Sequence, residues 1–471
     1  MRLVRMKNWT VAFAIAALAL AVPAHADLCT IEATPAATLL LPYFEVDIDN
    51  ADGVDTFISV NNASNESVLT HVIVWGDWSV EALDFNIYLT GYDVQTVGLG
   101  LIIRDGILPR TARSTSVSPI GPYSGSAPSY PGCSGILPYT NPALDAEFLA
   151  HLQSILTGGP SSYYGGLCGG ENYGDNIARG YVTIDVVHDC TLLTPCDPGY
   201  FTSEGGVYYE GLGGYENVLW GDWYMIDYAN NFAQGDTLVH IEAVQPGDQA
   251  GMAAISAGSF YNRCVIAEDG FTTPWADLRE SLATTFATRF YQNAAFTGGT
   301  DFLVWKDSQY PHDRGYSCGG GPFWWPLPEA QVVFFDEQEN PETVCTISPC
   351  PQEDVLFPNE TNRVSVTDID VTPESGWVYM NLNQNFGAPY SYLAQAWVSA
   401  IHSAEGRFSA GLSAIQLDSF CDVRSIILGP YGDDYPYSQP LVNYFNSNYY
   451  YGDGGMAPRQ QPRSGQAKSW N

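Results

Sequence analysis

Between Asp55 and Ser79 the chain runs DTFISVNNASNESVLTHVIVWGDWS. Two runs rich in β-branched and aromatic residues, Phe57 to Val60 and Leu69 to Trp75, flank Asn61-Asn62-Ala63-Ser64-Asn65-Glu66-Ser67. Such residues fit a pleated, half-buried surface, whereas Asn and Ser bend the backbone by hydrogen-bonding to it. The stretch therefore predicts a β-hairpin. A similar order returns in ATTFATRFYQNAAFTGGTDFLVWKDS, Ala283 to Ser308. There Thr285-Phe286 is followed by a turn entry at Asn293-Ala294, then by a run closing on Val304-Trp305 and Asp307. A second echo aligns Arg179 to Val186 with Ser375 to Leu382. Each copy is followed by an Asn-Phe pair, Asn231-Phe232 or Asn385-Phe386, and by another strand-like run, Thr237 to Val244 or Ala394 to Ile401. The repeated order predicts a duplicated β-domain.

The remaining chain is of the same kind. Thr38 to Val46, Leu83 to Tyr88 and Val94 to Ile103 predict strands, with Pro42 pointing to an edge position. Thr111 to Cys133 and Tyr163 to Gly174 predict loops. Asn141 to Leu156 predicts a helix. Asn141 is the expected cap, Pro142 suits the first turn, and Leu144, Phe148, Leu152 and Ile155 form one apolar face. Trp275 to Phe290 fits either state, and its second half is assigned to strand. The expected fold is all-β, with two tandem antiparallel β-sandwich (Ig-like) domains at 27–270 and 271–425. The first carries a helical and loop insertion at 111–178. A Tyr- and Gly-rich tail, 426–471, is expected to be disordered.

The N-terminus points to export. Arg2, Arg5 and Lys7 precede an apolar run from Val11 to Val22, and Ala24-His25-Ala26 is a small-x-small cleavage site. This pattern predicts a signal peptide, 1–26, whose apolar run is short for a membrane span. The destination is the extracellular space, the cell surface or the periplasm. All 10 cysteines follow the cleavage site. An even count in an exported chain predicts disulfides, and Cys190/Cys196 and Cys345/Cys350 are close enough to close small loops. No Cys-x-x-Cys occurs, which argues against structural zinc. A formal net charge of −34 excludes nucleic acid and anionic membrane surfaces as partners.

Trp-Gly-Asp-Trp occurs twice, placing Trp75, Asp77 and Trp78, and Trp220, Asp222 and Trp223, in candidate binding sites. Flat rings stack on sugar faces and carboxylates accept hydroxyl hydrogen bonds. The competing expectation is that one Trp of each pair packs in a sandwich core. Phe323, Trp324 and Trp325 sit between Gly321 and Pro326 as a candidate contact loop. Asp47, Asp49, Asp52 and Asp55 gather carboxylates as a hard cation requires, so calcium is the one cofactor considered. Their spacing departs from an EF-hand, and a solvated Asp/Asn turn is the alternative. No catalytic residue is assigned. His188-Asp189 and His312-Asp313 are adjacent, so on a strand their side chains would diverge. His71, His151, His240, His402, Ser124 and Ser134 sit in no nucleophile or metal motif. The expected function is binding or structural, directed at glycan, a surface protein or itself. The alternatives are a polysaccharide hydrolase with paired carboxylates and a calcium-stabilised surface protein.

Overall fold

The computed structural model describes residues 33–109, 133, 136–138, 141–201, 211–245, 259–261, 263–264, 277–311, 314–343, 355–383 and 394–418. The predicted signal peptide, Cys29, Ser124, Ser134, His312-Asp313, Cys345, Cys350, Asn385-Phe386 and the 426–471 tail lie outside these residues.

The first part of the chain supplies β1 (Thr38–Asp47), β2 (Val54–Asn62), β3 (Val68–Gly76), β4 (Glu81–Leu89) and β5 (Val94–Gly98). Two helices follow, α1 (Leu99–Ile103) and α2 (Ala146–Leu156). Then come β6 (Ile177–Val187), β7 (Leu219–Asp227), β8 (Phe232–Thr237) and β9 (Val239–Ile241). They build two antiparallel sheets, β4-β3-β6-β1-β9 and β5-β2-β7-β8. The second part supplies β10 (Thr285–Tyr291), β11 (Gly299–Lys306), β12 (Gln331–Asp336), β13 (Pro341–Thr343) and β14 (Thr361–Ser365). It continues with β15 (Ser375–Asn381), β16 (Ala396–Ala404), β17 (Phe408–Ser413) and β18 (Ile415–Gln416). These form the sheets β13-β12-β15-β10-β18 and β14-β11-β16-β17. Among the described residues no sheet mixes strands of the two parts.

Each pair of sheets encloses a core. Leu39, Leu41, Val72, Val74 and Ile184 face Ile58, Val60, Trp223 and Met225 in the first. Phe286, Phe290, Val378 and Met380 face Phe302, Val304, Val398 and Ala400 in the second. The fold is thus an all-β sandwich type, as the periodicity predicts. The sheet β4-β3-β6-β1-β9 is buried on its other face as well. There Leu40, Ile73, Trp75 and Tyr181 pack with Phe260, Tyr261, Leu282, Trp305 and Trp397. Two-sided burial is why β1 and β3 carry continuous apolar runs instead of alternation.

Several sequence expectations are corrected. The Asp55 to Ser79 stretch is not a hairpin. β2 pairs with β5 and β7, and β3 pairs with β4 and β6, so the chain arches from one sheet to the other. β10 and β11 form the same kind of arch. The second echo does not extend the repeat: β6 joins the sheet of β3, whereas β15 joins the sheet of β10. Pro42 lies not on an edge strand but in β1, which stands between β6 and β9. It falls at a register shift between Leu41 and Phe44, past the reach of β9, which pairs only with Thr38 to Leu40. A proline is tolerated there because no ladder bond is demanded of it. Val94 to Ile103 is strand only to Gly98. Leu99, Ile102 and Ile103 then bury one face of a helical turn whose Gly100 N–H donates to Asp55 Oδ1, 2.8 Å. The α2 cap is Asp145, which accepts the Phe148 N–H at 2.8 Å; Asn141 instead turns its own loop. Thr285 to Tyr291 is strand, as assigned.

Among the described residues the disulfides are Cys133–Cys190, Cys168–Cys318 and Cys196–Cys264. Cys190 and Cys196 therefore do not pair with each other; each takes a partner more than 50 residues away, 57 and 68 respectively. Among the described residues no helix is long and apolar enough to cross a membrane.

The seam between the two sandwiches is also ionic. Arg263 Nη1 donates to Glu360 Oε1 at 2.7 Å and Asp307 Oδ1 at 3.0 Å, and its Nη2 donates to Tyr181 Oη at 3.0 Å. Ser79 Oγ bonds both Glu360 and Tyr181. Burial raises the Glu360 and Asp307 carboxyls and the Arg263 guanidinium opposes that rise, so each charge depends on the other. Nearby, Asp185 accepts from Thr38, Tyr200 and Tyr261.

Candidate functional site

The two Trp-Gly-Asp-Trp segments occupy different backbones. The second lies within β7, so its tryptophans face opposite ways. Trp223 is buried, while Trp220 is half-buried with its ring 5.6 Å from that of His240. Asp222 accepts the Ser59 hydroxyl at 2.8 Å. The first segment ends β3 and turns into β4, with Gly76 N–H bonded to Val80 O at 2.8 Å. Trp75, Asp77 and Trp78 are all buried. Trp75, Trp78 and Trp223 therefore pack rather than present a surface, because a ring of that area is worth most when removed from water. Trp75 Nε1 donates to Thr183 Oγ1 at 2.9 Å.

Phe323, Trp324 and Trp325 divide likewise. Trp324 is 4% exposed and joins the first core, anchoring the loop. Phe323 is 76% exposed and Trp325 38%. The Phe323 ring stands edge-on to Tyr310, centroids 4.6 Å apart.

The residue that organises this surface is Asn359, which is fully buried. Its Oδ1 accepts the indole N–H of Trp78 at 3.0 Å and of Trp325 at 2.8 Å. Its Nδ2 donates to Glu171 Oε2 and to Tyr173 Oη, each at 2.8 Å. Two donors and two acceptor positions are thereby filled, so the amide holds its four neighbours and has nothing left for a ligand. The loop carrying Glu171 and Tyr173 is fixed on two further sides. Asp77 Oδ1 accepts the Glu171 N–H at 3.0 Å, and Gly170 lies so close to Asp77 that a side chain there would collide with it. Cys168 exchanges two backbone hydrogen bonds with Tyr316, of 2.9 and 2.8 Å, beside the Cys168–Cys318 disulfide. Phe323, Trp325, Tyr173 and Glu171 thus come from both sandwiches and form one ledge across the seam.

Burial pushes the Asp77 carboxyl well up, and the neighbouring Glu171 carboxylate adds to the rise. Burial also raises the Tyr173 phenol, helped by Asp77 and Glu171. The guanidinium of Arg179 lies 4.5 Å from the Tyr173 ring centroid and is paired with Asp175, Nη1 and Nη2 donating to it at 2.9 and 2.6 Å, while Nη1 also donates to the Ile177 carbonyl at 3.3 Å. Glu171, Tyr173 and Asn359 carry no local sequence signal. They lie in Gly- and Pro-flanked turns, and only the fold brings them to Trp78 and Trp325.

The other candidates do not converge. Asp47 Oδ1 caps its own turn through Asp49 and Asn50 N–H, both 3.0 Å, and Asp49 accepts Asn176 at 2.9 Å. Asp52 lies in that turn, its carbonyl accepting Ala229 N–H at 3.0 Å, and Asp55 is committed to Gly100 and Arg104. Among the described residues no group of three or more His, Cys, Asp and Glu side chains stands where it could hold a metal ion. Asp47, Asp49 and Asp52 thus share a hydrogen-bonded turn, and Asp55 stands apart from it in β2. His151 Nδ1 meets Ser161 Oγ at 2.6 Å, but burial lowers that imidazole to about 4 and Ser161 is 1% exposed. Such a serine is out of a substrate's reach. Asp189 turns to the Cys190 N–H at 2.9 Å.

No known protein family, curated protein or solved structure matches this chain.

Proposed function

We propose that this is an exported binding protein, with tandem units at 27–270 and 271–425, whose ledge takes a carbohydrate chain outside the cytoplasm. The observation that carries the reading is the clasp at Asn359. It fixes Trp325 and Tyr173 at the surface while leaving Trp325 38% and Tyr173 47% exposed. Rings immobilised before a ligand arrives lose little freedom when it binds, so their apolar faces contribute more fully to affinity. Disulfides support export, since such bonds persist in oxidising compartments.

The test is retention of the mature protein on a panel of insoluble polysaccharides, with released reducing sugar assayed in the same tubes. Retention without release is the expected result. Release would make the protein a hydrolase. Absence of retention on every polymer would overturn the carbohydrate reading in favour of a protein partner or self-association.

A further inference from the structure

Resting on that carbohydrate reading, we infer that the ledge selects uncharged polysaccharide and rejects polymers bearing carboxylates. The polar groups around the rings decide this. Asn359 is saturated by Trp78, Trp325, Glu171 and Tyr173. Arg179, the cation beside Tyr173, has Nη1 and Nη2 on Asp175 and its Nε 3.6 Å from Glu45. Glu171 is the charged group left facing the rings, with Oε2 on Asn359. An ionised carboxylate only accepts hydrogen bonds. It therefore pairs with the hydroxyls of a neutral sugar and repels a uronate, and the cation beside Tyr173, Arg179, is already paired with Asp175. The net charge of −34 adds long-range repulsion of the same sign.

The experiment compares matched polymers of the same backbone: hydroxyethyl cellulose with carboxymethyl cellulose, and dextran with carboxymethyl dextran. Affinity electrophoresis or a retention assay gives the ratio of dissociation constants within each pair. In whichever backbone binds, the carboxymethyl form should be weaker by about tenfold or more at low salt, and the gap should shrink as salt screens the charges. Glu171→Gln should narrow the ratio. Equal or tighter binding of the carboxymethyl polymer would overturn the selectivity while leaving the carbohydrate reading in place. A ratio unmoved by Glu171→Gln would remove Glu171 as its origin and overturn the inference in this form. Where neither backbone binds, the same comparison is made on carboxymethylated and neutral forms of the panel polymer that retains the protein, and retention on no neutral polymer at all would contradict both the selectivity and the reading on which it rests.

Discussion

Trp75 in β3 and Trp305 in β11 come from different sandwiches and pack against the same Tyr181, with centroids 6.0 Å from it in each case. Their indoles differ in one respect. Trp75 donates to Thr183, whereas Trp305 Nε1 is buried without a hydrogen-bond partner among the described residues, in a space that does not admit water. Trp→Phe removes similar volume at both positions, so the difference isolates the hydrogen bond. Trp75→Phe should cost about 1–3 kcal/mol more than Trp305→Phe in chemical denaturation, and equal losses would contradict the assignment. Glu81 makes a pH prediction. Burial, then Asp84 and Asp197, raise its carboxyl from 4.5 to about 8. The folded state therefore holds a proton that the unfolded state has released, and this contribution is lost as pH rises through about 8. Stability should fall across that window with a slope of at most about 1.4 kcal/mol per pH unit from this group. Melting temperatures across the same range should show a flatter profile for Glu81→Gln. At this scale sequence is weakly informative: two identical tetrapeptides place their residues in a turn and in a mid-strand, and only tertiary packing distinguishes them.

Element types were legible where periodicity or composition was one-sided. The β-runs, α2 and the second half of Trp275 to Phe290 follow from local chemistry. Pairing was not legible, because an arch and a hairpin present the same two strands and the same turn residues. The difference lies in which distant strands complete each sheet. The helical turn at Leu99 was readable in hindsight, since Leu99, Ile102 and Ile103 have helical spacing. The Cys168–Cys318 bond joins loops 150 residues apart in sequence. Proximity in sequence pointed to Cys190/Cys196 instead, and the fold sets those partners far along the chain. Replacing Cys168 and Cys318 together by Ser should cost about 2–5 kcal/mol in thermal unfolding. It should weaken ligand binding as well, because the Glu171 loop loses its covalent tie to the loop bearing Trp325. A variant with unchanged melting temperature and affinity would show that the backbone bridge to Tyr316 suffices.

The two sandwiches are joined through their seam. One sheet face, the Arg263 cluster and the Asn359 clasp all need both sandwiches. The edges β8 and β17 also meet through side chains, Ser409 Oγ on Ala233 O at 2.5 Å and Ser413 Oγ on Asp236 Oδ2 at 3.0 Å. Arg263→Met would leave Asp307 and Glu360 buried without their cation. It should destabilise by about 3–5 kcal/mol, and the intact protein should melt in one transition. Two resolved transitions in the wild-type protein would mean that the sandwiches unfold independently. The sandwich class was legible in the sequence, but the ledge was not, because its parts come from segments that only the seam brings together. The most direct measurement is retention of Phe323→Ala/Trp325→Ala beside the wild-type protein on a neutral polysaccharide that the wild type binds. Loss of retention at an unchanged melting temperature is the predicted result. Retention equal to wild type would contradict the ledge as the binding surface.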